Sequence, residues 1–311
     1  MRNCGNLFAA REKPSFEKYM LAKKYICFDI GKTKILAAVL KVGRGRYDFL
    51  EIAERKNPKN PKKIQEIILE FCNYARAEYW TKKVAVSAAH LVDPEKKIVR
   101  QGKECYGTDI FSFQFLREAG FSVRIENDGR CFALGEYHFG KSVGLKNILA
   151  INLGTEIGGG LIISGANYTG AHNSSLEISH ISVNCLGPWA DWAGACAGKG
   201  IENAYRRKTG RKIAAREIFL EAEKNNQIAK EVIGRAADIL GTGTASLINI
   251  LDPELIVFGG SLSRQKKFIE RAIKVARKNI FNKYANYKFA ISTLGNKANL
   301  LGAVKNFIDS A

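Results

Sequence analysis

Two short segments hold the residues best able to do chemistry. Residues 125–136 read IENDGRCFALGE, so Asn127 and Asp128 follow an apolar run and open a helix. An aspartate there can accept the proton of a substrate hydroxyl while the asparagine orients it. The same two residue types are equally favoured as plain helix N-caps. Residues 176–180 read LEISH, where Glu177 and His180 can converge on a polyhydroxyl ligand or stand as ordinary surface residues. Two glycine-bearing turns complete the set. In Asp29-Ile-Gly-Lys-Thr-Lys34, a carboxylate beside Gly31, Thr33 and Lys34 can hold a hydrated Mg²⁺ while the turn meets phosphate, although any hairpin can carry such a turn. In Leu153-Gly-Thr-Glu-Ile-Gly-Gly-Gly160, successive glycines allow backbone to approach a ligand closely. A further pair, Gly259 and Gly260, ends the apolar run LIVF, where an adenine or ribose can lie on backbone or a strand can simply turn into a helix.

The flanking patterns say what positions these residues. Tyr25–Ile30 reads as a buried strand, followed by a return strand at Ile35–Leu40 and a third at Tyr47–Ala53. Residues 57–63 read as a loop, Ile64–Trp80 as a helix with Ile64, Ile67, Ile68, Phe71, Cys72 and Ala75 on one face, and Lys83–Ala89 and Phe121–Ile125 as strands. Gly129–His138 reads as a helix. The second half opens with a strand at Asn147–Leu153 and its return at Leu161–Ser164. It continues through a largely helical stretch at Ile218–Leu251, a strand at Leu255–Phe258, a basic amphipathic helix at Lys267–Asn279, a strand at Lys288–Thr293 and a helix at Leu300–Phe307. Residues 25–40 and 148–164 share one plan: an apolar strand, Asp29-Ile-Gly or Asn152-Leu-Gly, a small polar turn and an apolar return. This repeat points to a duplicated α/β architecture with mixed sheets.

Composition bounds the function. The 311 residues are 46% hydrophobic and 25% charged, which is ordinary globular composition and excludes a disordered, collagenous or coiled-coil chain. No apolar run reaches the roughly 18 residues of a membrane span. The N-terminus lacks a signal-like apolar core, and seven cysteines without a CxxC pair read as reduced thiols, so a cytoplasmic protein without a membrane partner is expected. The net charge of +19 favours anionic ligands. Its dense stretches, 205–217 and 264–288, read as solvated basic surface without the interleaved aromatics of a stacking platform, so no nucleic-acid partner is expected.

Taken in order, DIGKTK, LVDPEK, IENDGRCFALGE, LGTEIGGGLIISG, LEISH and LDPELIVFGGSLS resemble the ROK family (repressor, open reading frame, kinase) over residues 25–307. The resemblance implies an actin-like ATPase (ribonuclease H-like) fold with two duplicated domains, mixed sheets and an interdomain cleft. The implied layout is a basic tail at 1–24, an N-terminal domain at 25–140 onto which a C-terminal helix at 297–309 packs back, and a C-terminal domain at 141–296. It implies a glucokinase-like, ATP-dependent sugar kinase acting on a hexose or N-acetylhexosamine, and a homodimer. The alternative is a catalytically degenerate or sugar-sensing member of the regulator type, without a DNA-binding domain. Carried over by position, Asp128 is the general base, an unshifted carboxylate near pKa ~3.9 that ionises without tuning. Asn127, Glu177, His180 and Asp191 bind the sugar. Asp29, Gly31, Lys32, Thr33, Lys34, Gly154, Thr155, Gly158, Gly159, Gly259 and Gly260 bind ATP, and Asp29 holds Mg²⁺ through water.

Four departures from the family pattern carry expectations. Lys32 and Glu156 replace glycines in the two turns; since the turns should face each other, the two side chains are expected to pair and clip the domains together. After His180 only Cys185 and Cys196 remain, without zinc-knuckle spacing, so no structural zinc is expected and Trp189 and Trp192 are expected to fill that space. SAAHLVD (87–93) stands where the family has G-x-P-G-x-V-D. LEISH lacks the glycines around its glutamate and histidine, so the pocket is expected to be reshaped or closed.

Overall fold

The computed structural model describes residues 22–43, 46–183 and 190–310. The expectations for residues 1–21, Cys185 and Trp189 lie outside them. The chain opens with β1 (Lys23–Ile30), β2 (Lys34–Gly43), β3 (Arg46–Lys56), α1 (Pro61–Tyr79) and β4 (Lys83–Ala88). A small excursion follows: β5 (Leu91–Asp93), β6 (Ile98–Arg100), α2 (Lys103–Tyr106), β7 (Phe111–Ser112) and α3 (Gln114–Glu118). The first half closes with β8 (Ser122–Asn127) and α4 (Asp128–Phe139). The second half opens with β9 (Ile148–Leu153), β10 (Ile157–Ile163), β11 (Ala166–Asn167), β12 (Ser182–Val183) and β13 (Ala190–Asp191). Next come α5 (Trp192–Cys196), α6 (Gly198–Thr209), α7 (Ala215–Glu223), α8 (Gln227–Leu251), β14 (Leu255–Gly259), α9 (Lys266–Asn279), β15 (Lys288–Ile291) and α10 (Lys297–Asp309).

The internal repeat is realised as two five-stranded sheets of the same plan, β3-β2-β1-β4-β8 and β11-β10-β9-β14-β15. In each, the opening strand pairs antiparallel with its return and parallel with the strand on its other side. The register carries the repeat down to single residues: Asp29 faces Ser87 on β4, and Asn152 faces Gly259 on β14. The opening strands are apolar over most of their length because helices cover both faces, as expected of strands with parallel neighbours. Helix α1 starts earlier than the sequence predicts. Asn60 accepts from Lys63 N at 3.1 Å, Pro61 takes the first helical position, and the last residues of the predicted loop become the first turn.

Helices α4 and α10 lie between the sheets. Cys131 of α4 packs with Tyr25, Cys27, Leu36, Leu300 and Val304, whereas its neighbours Phe132, Ala133 and Leu134 pack with Ile148, Ala150, Val257 and Ala298. The helices cross so closely that a Cβ at Gly135 would meet Ala298 O at 2.1 Å and one at Gly302 would meet Cys131 O at 1.7 Å. Trp192 is fully buried in the core under the second sheet, its Nε1 donating to Ile239 O at 3.2 Å. Among the described residues no helix is long and apolar enough to cross a membrane. One surface expectation is corrected. Phe281 and Tyr284 stand 91% and 101% exposed inside the basic stretch 264–288, so aromatics are interleaved with charge there.

Candidate functional site

The turns 31–33 and 154–156 face each other across a cleft of about 260 Å³. The cleft is bordered by Gly31, Lys32, Thr33, His90 and Cys105 on one side and by Asn152, Gly154, Thr155, Glu156 and Gly158 on the other. Asn127, Asp128, Leu176, Glu177, Ser179 and His180 border the rest. The first turn closes on Gly31 N donating to Lys34 O at 3.0 Å, and the buried Asn57 locks it by donating from Nδ2 to Gly31 O (2.7 Å) and Cys105 O (2.9 Å). The N-terminus of α6 holds the second turn: Gly198 N donates to Gly154 O at 3.0 Å and Lys199 N to Thr155 O at 3.1 Å. Lys32 and Glu156 do pair across the cleft, Nζ to Oε1 at 3.2 Å. Lys32 also binds Glu104 of α2, a partner the sequence did not reveal.

The glycines divide into two kinds. A Cβ at Gly154 would meet nothing, and those at Gly31 and Gly158 only ordinary contacts, so these three leave open room on the cleft side. Gly159 borders the cleft too, but its Cβ direction is filled by Leu176 O at 2.7 Å. A Cβ at Gly160 would strike Gly129 O at 2.4 Å. The run of glycines therefore serves first to seat the N-terminus of α4 against β10, a correction to reading all of it as ligand approach. Gly259 and Gly260 do not border the cleft. A Cβ at Gly259 would strike the Phe132 ring at 2.3 Å, and Gly260, at φ +80°, lies against Leu153 O.

Asn127 and Asp128 sit where β8 becomes α4. Asn127 is a true N-cap: its Oδ1 accepts from Gly129 N (2.9 Å) and Arg130 N (3.2 Å), and its Nδ2 donates to His90 O (3.1 Å). Capping leaves one N–H of that amide for the cleft. Beneath it, buried Glu126 accepts from Asn127 N and Arg130 Nε, both at 2.7 Å, and Arg130 Nη1 donates to Asn173 O at 3.0 Å. This ion pair ties the Asn127–Asp128 corner to the loop that carries Glu177. Its i, i+4 spacing within IENDGR was a signal that sequence reasoning passed over. Asp128 is not an ordinary carboxylate. Burial and then the negative charge of Asp29 push it up to about 7, which overturns the expectation of an untuned base.

Asp29 lies behind the cleft rather than on its border. Its Oδ1 accepts from Ser87 Oγ (2.7 Å) and from Asn299 Nδ2 of α10 (3.1 Å), and burial raises its carboxyl above the usual range. Lys34 turns away to Glu54 on β3 at 2.7 Å and does not border the cleft. Glu177 and His180 do border it; Glu177 is raised by desolvation against its surroundings. Asp191 does not. It caps α5, accepting from Gly194 N at 2.7 Å, and among the described residues it meets the cleft through His180, 3.8 Å from its Oδ2. At two of the replaced glycines the backbone has kept a glycine-like shape, His90 at φ +75° and Leu176 at φ +61°, whereas Lys32 and Glu156 have no positive φ. The pocket is reshaped by side chains but is not closed.

Known proteins resemble this chain in sequence and in fold. The family model described as "ROK family" matches residues 25–309. An uncharacterised protein of Clostridium perfringens is 32% identical over 91% of this chain and 97% of its own. The glucokinase of Thermotoga maritima is 27% identical over 78% and 83%. The structure matches that of a ROK family glucokinase from Streptomyces griseus, solved in complex with glucose and AMPPNP, with a TM-score of 0.78 over 91% of this chain and 99% of that one, at 24% identity. The fold is the actin-like ATPase fold. With two matching sheets, facing turns and an Asn-Asp corner between them, the chain belongs to the ROK family.

Proposed function

We propose that this chain is an ATP-dependent sugar kinase that transfers the γ-phosphate of ATP to a hydroxyl of a hexose or N-acetylhexosamine. The observation that carries the reading is the position of Asp128, which borders the same cavity as both hairpin turns. A sugar hydroxyl held by Asn127, Glu177 and His180 would lie beside Asp128, with the phosphate chain between the turns. Asp128 then takes the hydroxyl proton as the sugar oxygen bonds to the γ-phosphorus, and the bond from phosphorus to the ADP oxygen breaks. The open backbone at Gly31, Gly154 and Gly158 lets turn N–H groups reach the transferring group, where charge shifts to the leaving oxygen.

Mg²⁺ fits this site as an ion carried by the nucleotide. Among the described residues no three His, Cys, Asp or Glu side chains form a cage, but Asp29 takes both of its side-chain hydrogen bonds on Oδ1, which leaves Oδ2 for a water of the ion's shell. Bound there with ATP, Mg²⁺ would neutralise charge on the phosphate oxygens. Phosphorus NMR on the purified chain with Mg-ATP and candidate sugars tests the reading. A new sugar-phosphate resonance appearing as the γ-phosphate signal falls is the expected result. ATP loss without a sugar ester would overturn it.

A further inference from the structure

The cleft holds one group for which neither the turns nor the Asn-Asp corner accounts. His90 borders the cavity beside Asn127, and its ring Nε2 lies 3.1 Å from Cys105 Sγ. It holds a left-handed backbone, φ +75°, that a non-glycine residue rarely adopts, and its carbonyl receives Asn127 Nδ2 at 3.1 Å. The His90 backbone and the Asn127 side chain are thus one hydrogen-bonded unit. Cys105 is itself fixed, because Asn57 Nδ2 donates to its carbonyl at 2.9 Å.

One tautomer lets the thiol donate to the ring. Burial pushes the Cys105 thiol up to about 12, so it keeps its proton, and burial lowers His90, so the ring is neutral near pH 7. With the thiol as donor to Nε2, the ring proton resides on Nδ1. Among the described residues Nδ1 has no hydrogen-bond partner. The nearby charges, Lys32 with Glu104 and Glu156, are bound to one another and leave it free.

Resting on the sugar-kinase reading, we infer that His90 is a specificity-determining residue: held by Cys105, its imidazole donates from Nδ1 to one acceptor oxygen of the bound sugar. Cys105 is a positioning residue that sets the tautomer. A sugar lacking that oxygen leaves the donor unpaired in the cleft and binds about tenfold more weakly.

The test is calorimetric sugar binding and steady-state turnover for the full chain with the preferred sugar and its monodeoxy analogues. It compares wild type, His90→Gly, Cys105→Ser and Cys105→Val. Glycine suits φ +75° and retains the backbone carbonyl that binds Asn127, so His90→Gly should melt no lower than wild type. The expected result is that His90→Gly erases the discrimination against one analogue and leaves the others unchanged. Cys105→Ser, which retains a donor to Nε2, keeps the wild-type pattern, and Cys105→Val loses it with the change in KM rather than kcat. An unchanged pattern in His90→Gly, or a uniform weakening toward every analogue, overturns the inference. Wild-type sugar binding without turnover would overturn the kinase reading alone, because the same pattern is still read in Kd. No binding of any sugar overturns both.

Discussion

Lys32 on the first hairpin turn and Glu156 on the second meet across the cleft, Nζ to Oε1 at 3.2 Å, in positions where the family pattern carries glycine. Both side chains are partly solvated, so the pair contributes little stability; its consequence is local charge balance where phosphate must enter. Lys32→Glu should weaken binding of a non-hydrolysable ATP analogue strongly, because Glu104 and Glu156 then lose their shared cation. Lys32→Glu with Glu156→Lys should bind about 2- to 5-fold more tightly than Lys32→Glu alone, as expected for an exposed pair. Calorimetric titration checks this, and a double variant no better than the single would sink the pairing.

Asp128 must be ionised to take a proton, and its carboxyl lies at about 7. The rate constant kcat/KM should therefore fall tenfold per unit below pH ~7 and level off above it. Because the Asp29 charge is one cause of the shift, Asp29→Asn should move the acid limb to lower pH even as it slows the proposed turnover. A profile flat from pH 5 to 8 would contradict this assignment.

The same shift has a stability sign. The folded state raises the Asp128 pKa from 3.8 to about 7, so it favours the protonated form. The stability from that form is fully present below the unfolded value and is lost as pH rises through the folded one. Asp128→Asn, which stays neutral, should raise Tm at pH 8 by roughly 2–6 °C and by less at pH 5. An equal or negative change at both values would mean that the carboxylate is not desolvated.

The two kinds of glycine make opposite predictions. Gly302→Ala would drive a methyl into Cys131 O, 1.7 Å from the built Cβ, and should cost several kcal/mol, about 3 or more, by forcing α10 off α4. Gly154→Ala meets nothing within 4 Å and should fold normally while weakening nucleotide binding. Thermal melts paired with nucleotide titration separate the two. A Gly154→Ala variant that melts early would show that this turn is structural.

Much of the fold was legible because its opening hairpins are apolar runs joined by small turns, and Asp29 and Asn152 marked equal places in each repeat. Helices α5 and α6 were not, since residues 192–209 are rich in glycine and alanine at the start and basic at the end, with little apolar period. In the site, residue types marked Asn127, Asp128, Glu177 and His180 only as candidates, and the family resemblance supplied their roles and the facing turns from which the Lys32–Glu156 pair was expected. The His90–Cys105 contact joins a strand end to a separate short helix, and only the folded chain shows it. Gly159 could not be assigned from sequence, because close approach to a ligand and close approach to backbone both require a missing Cβ. Asp128's shift likewise depends on burial and on Asp29, a residue almost a hundred positions away in the chain.

ADP release from Mg-ATP by the purified chain across aldohexoses, ketohexoses and N-acetylhexosamines, with Asp128→Asn measured alongside, decides whether Asp128 is the base of a sugar kinase. The expected result is release that depends on one or a few sugars and falls at least about a thousandfold in the variant, whose sugar binding persists. Release independent of sugar, or equal in Asp128→Asn, would contradict it.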